Sequence, residues 1–446
     1  MAESNPDGRP LRSGSSTRTH PTPCEASSFG PAPSSSASRT CAPRVEGSAS
    51  TGFPSTYKPF PSQATAFVGA TVLTATGQQI DNGVVVTSGG KVVAVGGPET
   101  AIPADAVKVD ATGKWLTPGI IDAHSHLGVY PSPGVSARSD GNEATDPNTA
   151  QVWAEHSVWP QDPGFNRARA GGVTTLQILP GSANLFGGRS VTLKNVPALT
   201  MQGMKFPDAP YGLKMACGEN PKRVYGGKGR SPSTAMGNVF GYRKAWIDAA
   251  DYARKWDDYR SKQQKGEKGD APKRDLQMET LAGVLKGDIL VQNHCYRADE
   301  EATMIDIAKE FGYKITMFHH AIESYKIAPL LAREHICAAV WSGRWGFKME
   351  AYDGIEENAA LLTKAGVCVS LHSDDPNIIQ RLNREAAVAQ AAADSGVWQE
   401  RTAWPSRWTV QAPHSAAPQP NLAPTRPSVS RSTHSRGMSV FWTVIG

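Results

Sequence analysis

Long hydrophobic runs are missing from this chain. Nothing approaches the roughly 18 consecutive apolar residues that a membrane-spanning helix needs, so no membrane association is expected. The first residues carry no apolar h-region. That predicts a cytoplasmic protein, with an exported form open should the amino terminus be misannotated. Cysteine is scarce, 6 in 446 residues, which does not suit a disulfide framework. Cys217, Cys295, Cys337 and Cys368 lie in or at the end of apolar runs, where cysteine serves as a small buried hydrophobe. A basic stripe is also missing, although the formal net charge is +5. Residues 1–57 hold five Arg against four acids, and residues 395–446 hold five Arg against one. The ends therefore account for +1 and +4, and the middle sums to zero. This distribution argues against nucleic acid as a partner.

Lysine is absent from both ends. Residues 1–57 are rich in Ser, Pro, Thr, Gly and Ala without hydrophobic periodicity, and are expected to be disordered. Residues 395–446 also lack Asp and are dense in Pro, Ser, Arg and Trp, which predicts an atypical, unstructured tail.

The middle is different. Residues 64–117 contain short β-branched runs separated by Gly, Asn-Gly and Gly-Gly, the pattern of hairpins in a small β-domain. From 118 to 394 strand-like runs alternate with helical ones. The eight strand runs are 118–126, 172–179, 190–194, 211–217, 288–294, 314–319, 336–342 and 366–372. Helices are expected at Ala298–Phe311, Ile322–Arg333, Gly354–Lys364 and Asn377–Ala393, with another around 241–258. The fold class expected is α/β: a (β/α)8 TIM-like barrel over 118–394, preceded by a partial β-sandwich at 64–117.

The chemistry sits at the strand ends. His124 and His126 are two apart, so on a strand they face the same way. Later apolar runs end in Glu219, His294, the pair His319-His320, and His372 with Asp374 and Asp375. In a barrel of parallel strands these ends converge on one face, where they form a candidate metal site.

The phrases Pro-Gly-Ile-Ile-Asp-Ala-His-Ser-His (118–126), Ala-Gly-Gly-Val-Thr-Thr-Leu-Gln-Ile-Leu-Pro-Gly-Ser-Ala-Asn-Leu-Phe-Gly-Gly-Arg-Ser (170–190) and Gly-Glu-Asn-Pro-Lys-Arg-Val-Tyr-Gly (218–226) resemble the amidohydrolase superfamily. His-Cys-Tyr-Arg-Ala-Asp-Glu (294–300), Glu-Ser-Tyr-Lys-Ile-Ala (323–328) and His-Ser-Asp-Asp-Pro (372–376) continue the series. The likeness is to the branch related to imidazolonepropionase, and it runs from about 64 to 394.

The resemblance implies metal ligands His124, His126, Glu219, His294, His320 and Asp374. Glu219 takes the place where many relatives use a carboxylated lysine. Lys214, inside the strand, is the alternative, and Glu219 is preferred because it sits at the strand end. His319 is expected to pack or to support a ligand. His372, Arg297 and Tyr325 are candidates for substrate binding, and Asp122 for a hydrogen bond to a ligand or a turn cap. Nitrogen and carboxylate donors without thiolate suit one or two divalent ions, Zn²⁺ foremost, with Mn²⁺, Fe²⁺ or Co²⁺ also compatible. Asp374 resembles the family's proton shuttle and is the catalytic residue expected. The implied enzyme is a hydrolase of amide or other C–N bonds, acting on a small molecule such as a cyclic amide or a dipeptide. A homo-oligomer is left open.

The tail departs from the family pattern. Relatives complete the β-domain with C-terminal strands, and nothing in 395–446 matches them. We read the tail as an out-of-frame translation, a reading that a confirmed intact frame across codons 390–400 would sink. The competing functions are a non-catalytic barrel scaffold and an inactive product of a damaged gene.

Overall fold

The structure, a computed structural model, describes residues 52–74, 76–394 and 442–445. The expected disordered segment and tail therefore lie mostly outside the described residues. Residues 52–57 are described: Lys205 Nζ donates to the Phe53 carbonyl at 2.7 Å, and the Thr56 N–H donates to Gln202 O at 3.0 Å.

The strands of the first region are β1 (Thr65–Leu73), β2 (Gln79–Ser88), β3 (Lys91–Gly96), β4 (Val107–Asp110) and β5 (Trp115–Pro118). β1 and β2 are antiparallel, as are β2 and β3, while β4 and β5 lie parallel to β1. Gly89 and Gly90 turn the β2–β3 hairpin with φ of 57° and 73°, a conformation that disfavours residues with a Cβ.

The second sheet has eight strands in sequential order. They are β6 (Ile120–Ser125), β7 (Val173–Ile178), β8 (Phe186–Lys194), β9 (Gly212–Ala216), β10 (Leu290–Cys295), β11 (Ile315–His320), β12 (Cys337–Val340) and β13 (Val369–Leu371). Each falls on a run read from the sequence. Their burial on both faces explains why those runs are apolar without alternation. The sheet curls into a nearly closed barrel. The Asp374 N–H, just past β13, donates to the His124 carbonyl on β6 at 3.0 Å.

One strand departs from the expected parallel pattern. β8 is antiparallel to both β7 and β9. A parallel return needs a crossover of a dozen or more residues. The link from Ile178 to Phe186 is too short for one, so the chain turns straight back. Gly187, Gly188 and Arg189 belong to this strand. Gly188 has φ 110°, and a Cβ there would meet Val152 O at 2.3 Å, so the backbone beside β8 approaches too closely for a side chain.

Helices cover the outside. Ala298–Phe311 has the expected bounds, and Gly312 ends it in the left-handed conformation at φ 74°. The long helix Ala235–Gln264 buries Tyr242, Trp246, Ala249 and Trp256 at helical spacing. Trp246 meets Phe186 edge-on at 5.3 Å, fastening the helix to β8. Among the described residues, no helix is long and apolar enough to cross a membrane.

Two expectations are corrected. Cys217 pairs with Cys295, and Cys337 with Cys368, as disulfides. Ends of adjacent strands bring each pair together, which linear spacing did not reveal. The tail expected to be unstructured also contributes a strand among the described residues. A last strand, β14 (Trp442–Ile445), pairs antiparallel with β5.

Candidate metal centre

His124 lies near the end of β6, and His126 follows just past it. His126 Nδ1 lies 2.8 Å from the Leu179 carbonyl, which as an acceptor requires the proton on Nδ1. The His126 Nε2 lone pair is thereby left for another partner. His124 reaches the same state through a longer chain. His319 Nε2 is 2.7 Å from Gln292 Oε1, and His319 Nδ1 is 3.0 Å from His124 Nδ1. If His319 donates to Gln292, its neutral ring accepts from His124, whose Nε2 is then free. Burial, with the charge of Lys214, holds both rings well below the ordinary histidine range, so the neutral forms apply.

The two free nitrogens face each other at 3.3 Å, and Asp374 Oδ1 lies 3.3 Å from His124 Nε2 and 3.0 Å from His126 Nε2. The His320 ring is 4.9 Å from that of His124, and the His294 ring is 4.5 Å from that of His320. The His372 ring lies 5.1 Å from His124. Among the described residues, His294 Nδ1, His320 Nδ1 and both nitrogens of His372 are buried without a hydrogen-bond partner. Burial takes His372 down to about 3. Buried polar groups are ordinarily paired. Several orphaned ring nitrogens around one point therefore fit a cation as their partner. Donor atoms of His124, His320 and His372, and separately of His124, His126 and Asp374, lie within 4.8 Å of one another.

The backbone is bent to make this cluster. His320 and Asp374 both occupy the left-handed region, at φ 72° and 54°. Such conformations cost on the order of 1 kcal/mol or more for non-glycine residues and concentrate at functional sites. At His320 the bend breaks strand alternation. Both His319 and His320 consequently enter the barrel, which parity alone did not foresee. Asp374 is 26% exposed, open toward the mouth. Burial would raise its carboxyl, but His320, His126 and His372 hold it below the usual carboxylate range. Asp122 acts through the backbone. Its Oδ1 accepts from the N–H groups of His124 at 3.1 Å and Ser373 at 3.2 Å, tying β6 to the end of β13.

The structure thus brings together His124, His126, His294, His320, His372 and Asp374. Among the described contacts, none joins Glu219 to them. The chain turns at Gly218, φ 75°, and Glu219 opens the helix Glu219–Gly226. Its carboxylate lies 3.6 Å from Lys348 instead. Lys214 occupies the interior: its Nζ is 3.4 Å from His124 Nε2 and donates to Pro180 O at 2.9 Å. Burial lowers this amine to about 7, with Asp374 opposing the shift. The signal for Lys214 was present, because a lysine within a strand buried on both faces is costly without a task. Arg297 binds Asp299 through two hydrogen bonds, and the Tyr325 hydroxyl donates to Asp353 O, so the described contacts of both lead away from the cluster.

A cavity of about 410 Å³ lies behind Pro180, lined by Asn142, Trp153 and His156 among others. None of the cluster residues lines it. On the other side, Glu300 and Glu350 both approach Gly218. Burial, with the nearby Glu350 charge, raises the Glu300 carboxyl to about 7. A carboxyl with a folded pKa above its unfolded value favours folding while protonated. Its contribution is complete below about pH 4.5 and is lost as the pH rises through 7. Glu300→Gln should therefore stabilise the fold by about 1 kcal/mol at pH 8, and by less at pH 5. Thermal melts at the two pH values check this, and an equal gap at both would contradict it.

The strand ends of this nearly closed barrel converge on histidines and an aspartate, a cluster able to hold a metal ion. The chain is 38% identical to an amidohydrolase from Thermotoga maritima of known structure, with a TM-score of 0.68 covering 75% of this chain and 84% of that one. It is 34% identical over 311 residues to the amidohydrolase tasK of Hapsidospora irregularis, covering 66% of this chain and 31% of that protein. It is 29% identical over 118 residues to a 5-methylthioadenosine/S-adenosylhomocysteine deaminase of Bacillus cereus, covering 26% of this chain and 25% of that protein. The chain thus spans about a third or less of the length of these two curated relatives. No family model matches it. The chain belongs to the amidohydrolase superfamily.

Proposed function

We propose that the chain is a metal-dependent hydrolase of amide or other C–N bonds in a small molecule, in the branch related to imidazolonepropionase. The observation that carries this reading is the convergence of His124, His126, His320, His372 and Asp374, where His320 Nδ1 and both ring nitrogens of His372 are buried without a hydrogen-bond partner among the described residues. His124, His126, His294, His320 and Asp374 would hold one or two divalent ions, with Lys214 beside them and His372 within reach. Zinc suits this donor set, and when bound it would polarise the scissile carbonyl and acidify water.

The chain's own residues supply the remainder. Gln292 and His319 fix the tautomer of His124, and the Leu179 carbonyl fixes that of His126. Asp374 Oδ1, at the open side, takes a proton from the attacking water and returns it to the leaving nitrogen. Buried walls exclude bulk water and strengthen these interactions.

Zinc analysis and a hydrolysis panel of N-acyl amino acids, dipeptides and cyclic amides test the proposal. One to two bound equivalents are expected, with turnover lost on chelation and restored by Zn²⁺ or Mn²⁺. Folded protein that binds no metal and hydrolyses nothing would favour the scaffold instead.

A further inference from the structure

The Gly218-Glu219-Asn220 stretch meets the segment after β12 at the barrel mouth, and the proton chemistry above uses neither. Lys348 is 22% exposed and donates to Asn220 Oδ1 at 2.8 Å. Asn220 Nδ2 in turn lies 3.4 Å from His294 Nε2. One side-chain amide therefore separates this ammonium from the cluster. The ammonium also lies 4.8 Å from the Tyr296 ring centre, and that ring is 4.5 Å from His294. Trp341 stacks on His320 at 4.4 Å and meets Phe347 edge-on at 5.6 Å. The Glu219 carboxylate is ion-paired with Lys348 at 3.6 Å; the ammonium carries three donors, of which Asn220 takes one, so it can meet a second carboxylate. Glu300 and Glu350 flank Lys222, at 3.9 and 3.7 Å, and the Glu350 charge also acts on Lys348.

We propose that Lys348, steadied by Asn220, anchors a carboxylate of the substrate, while Tyr296, Trp341 and Phe347 receive its apolar side chain. The substrate class is then an N-acyl amino acid or dipeptide rather than a neutral cyclic amide. This rests on the hydrolase reading. In such a molecule the carboxylate lies one carbon beyond the leaving nitrogen, so an ammonium one side-chain amide away from His294 is placed to meet it. A partly dehydrated ammonium gains more from a carboxylate than one in open water. The aromatic faces beside it offer apolar area and tolerate the cation.

The test uses the zinc-loaded full chain and N-methylsulfonyl-L-phenylalanine against its carboxamide. The sulfonamide stands where the scissile amide would be and resists hydrolysis. By calorimetry the acid should bind about 10- to 100-fold tighter than the carboxamide. That ratio should fall to about one in Lys348→Met and return in Lys348→Arg. No preference in the unaltered protein, or a preference that survives Lys348→Met, overturns the proposal. Failure of the hydrolase reading shows separately, as absent turnover of N-acyl amino acids with metal supplied.

Discussion

Asp374→Asn lowers kcat for amide hydrolysis by about 10³-fold, near 4 kcal/mol of barrel-assisted transition-state stabilisation. The amide cannot exchange a proton as the carboxylate does, and it is a poorer partner for a cation. The substitution isolates this loss because of the backbone. Residue 374 sits at φ 54°, where Asn is as well tolerated as Asp. Its N–H bond to the His124 carbonyl does not depend on the side chain and stays in place. Alanine would confound the result by adding backbone strain. Circular dichroism should match the unaltered protein, and steady-state rates on a hydrolysed substrate give the effect. Retention of a tenth or more of the activity would remove Asp374 from proton transfer.

The second large effect separates Lys214 from Glu219. Lys214→Met should lose about one equivalent of bound zinc and 10²-fold or more in activity, in keeping with the loss of a group at the metal. Methionine has similar length and no charge, so the packing between β8 and β10 is kept. Glu219→Gln should leave zinc content unchanged, because that carboxylate faces Lys348. Metal analysis of both variants reads the outcome directly. Zinc lost from Glu219→Gln and kept in Lys214→Met would restore the assignment made from strand-end position.

Much of the barrel was legible in the chain because its physics is local. A strand buried on both faces must be apolar throughout, so all eight runs stood out. Two histidines two residues apart must share a face, so His124 and His126 declared themselves. Where reading failed, the deciding contact was distant. The direction of β8 depended on a link too short for a helix. The contact of Glu219 with Lys348 follows a turn at Gly218, φ 75°, and joins segments far apart in the chain. The cysteine pairs and the Lys348–Asn220 contact join segments far apart in the chain, and no periodicity records them.

The sequence alone thus determined the alternation of strands and helices, the ligand-type residues at the strand ends and the superfamily they resemble. Period, burial and residue chemistry are properties of short segments. Only the tertiary structure decided that the Lys214 amine lies beside His124, which buried ring nitrogens of His294, His320 and His372 lack a hydrogen-bond partner among the described residues, and that Lys348 meets Asn220. Those depend on backbone bends and on hydrogen bonds across the barrel, and they exist only once all eight strands have curled together.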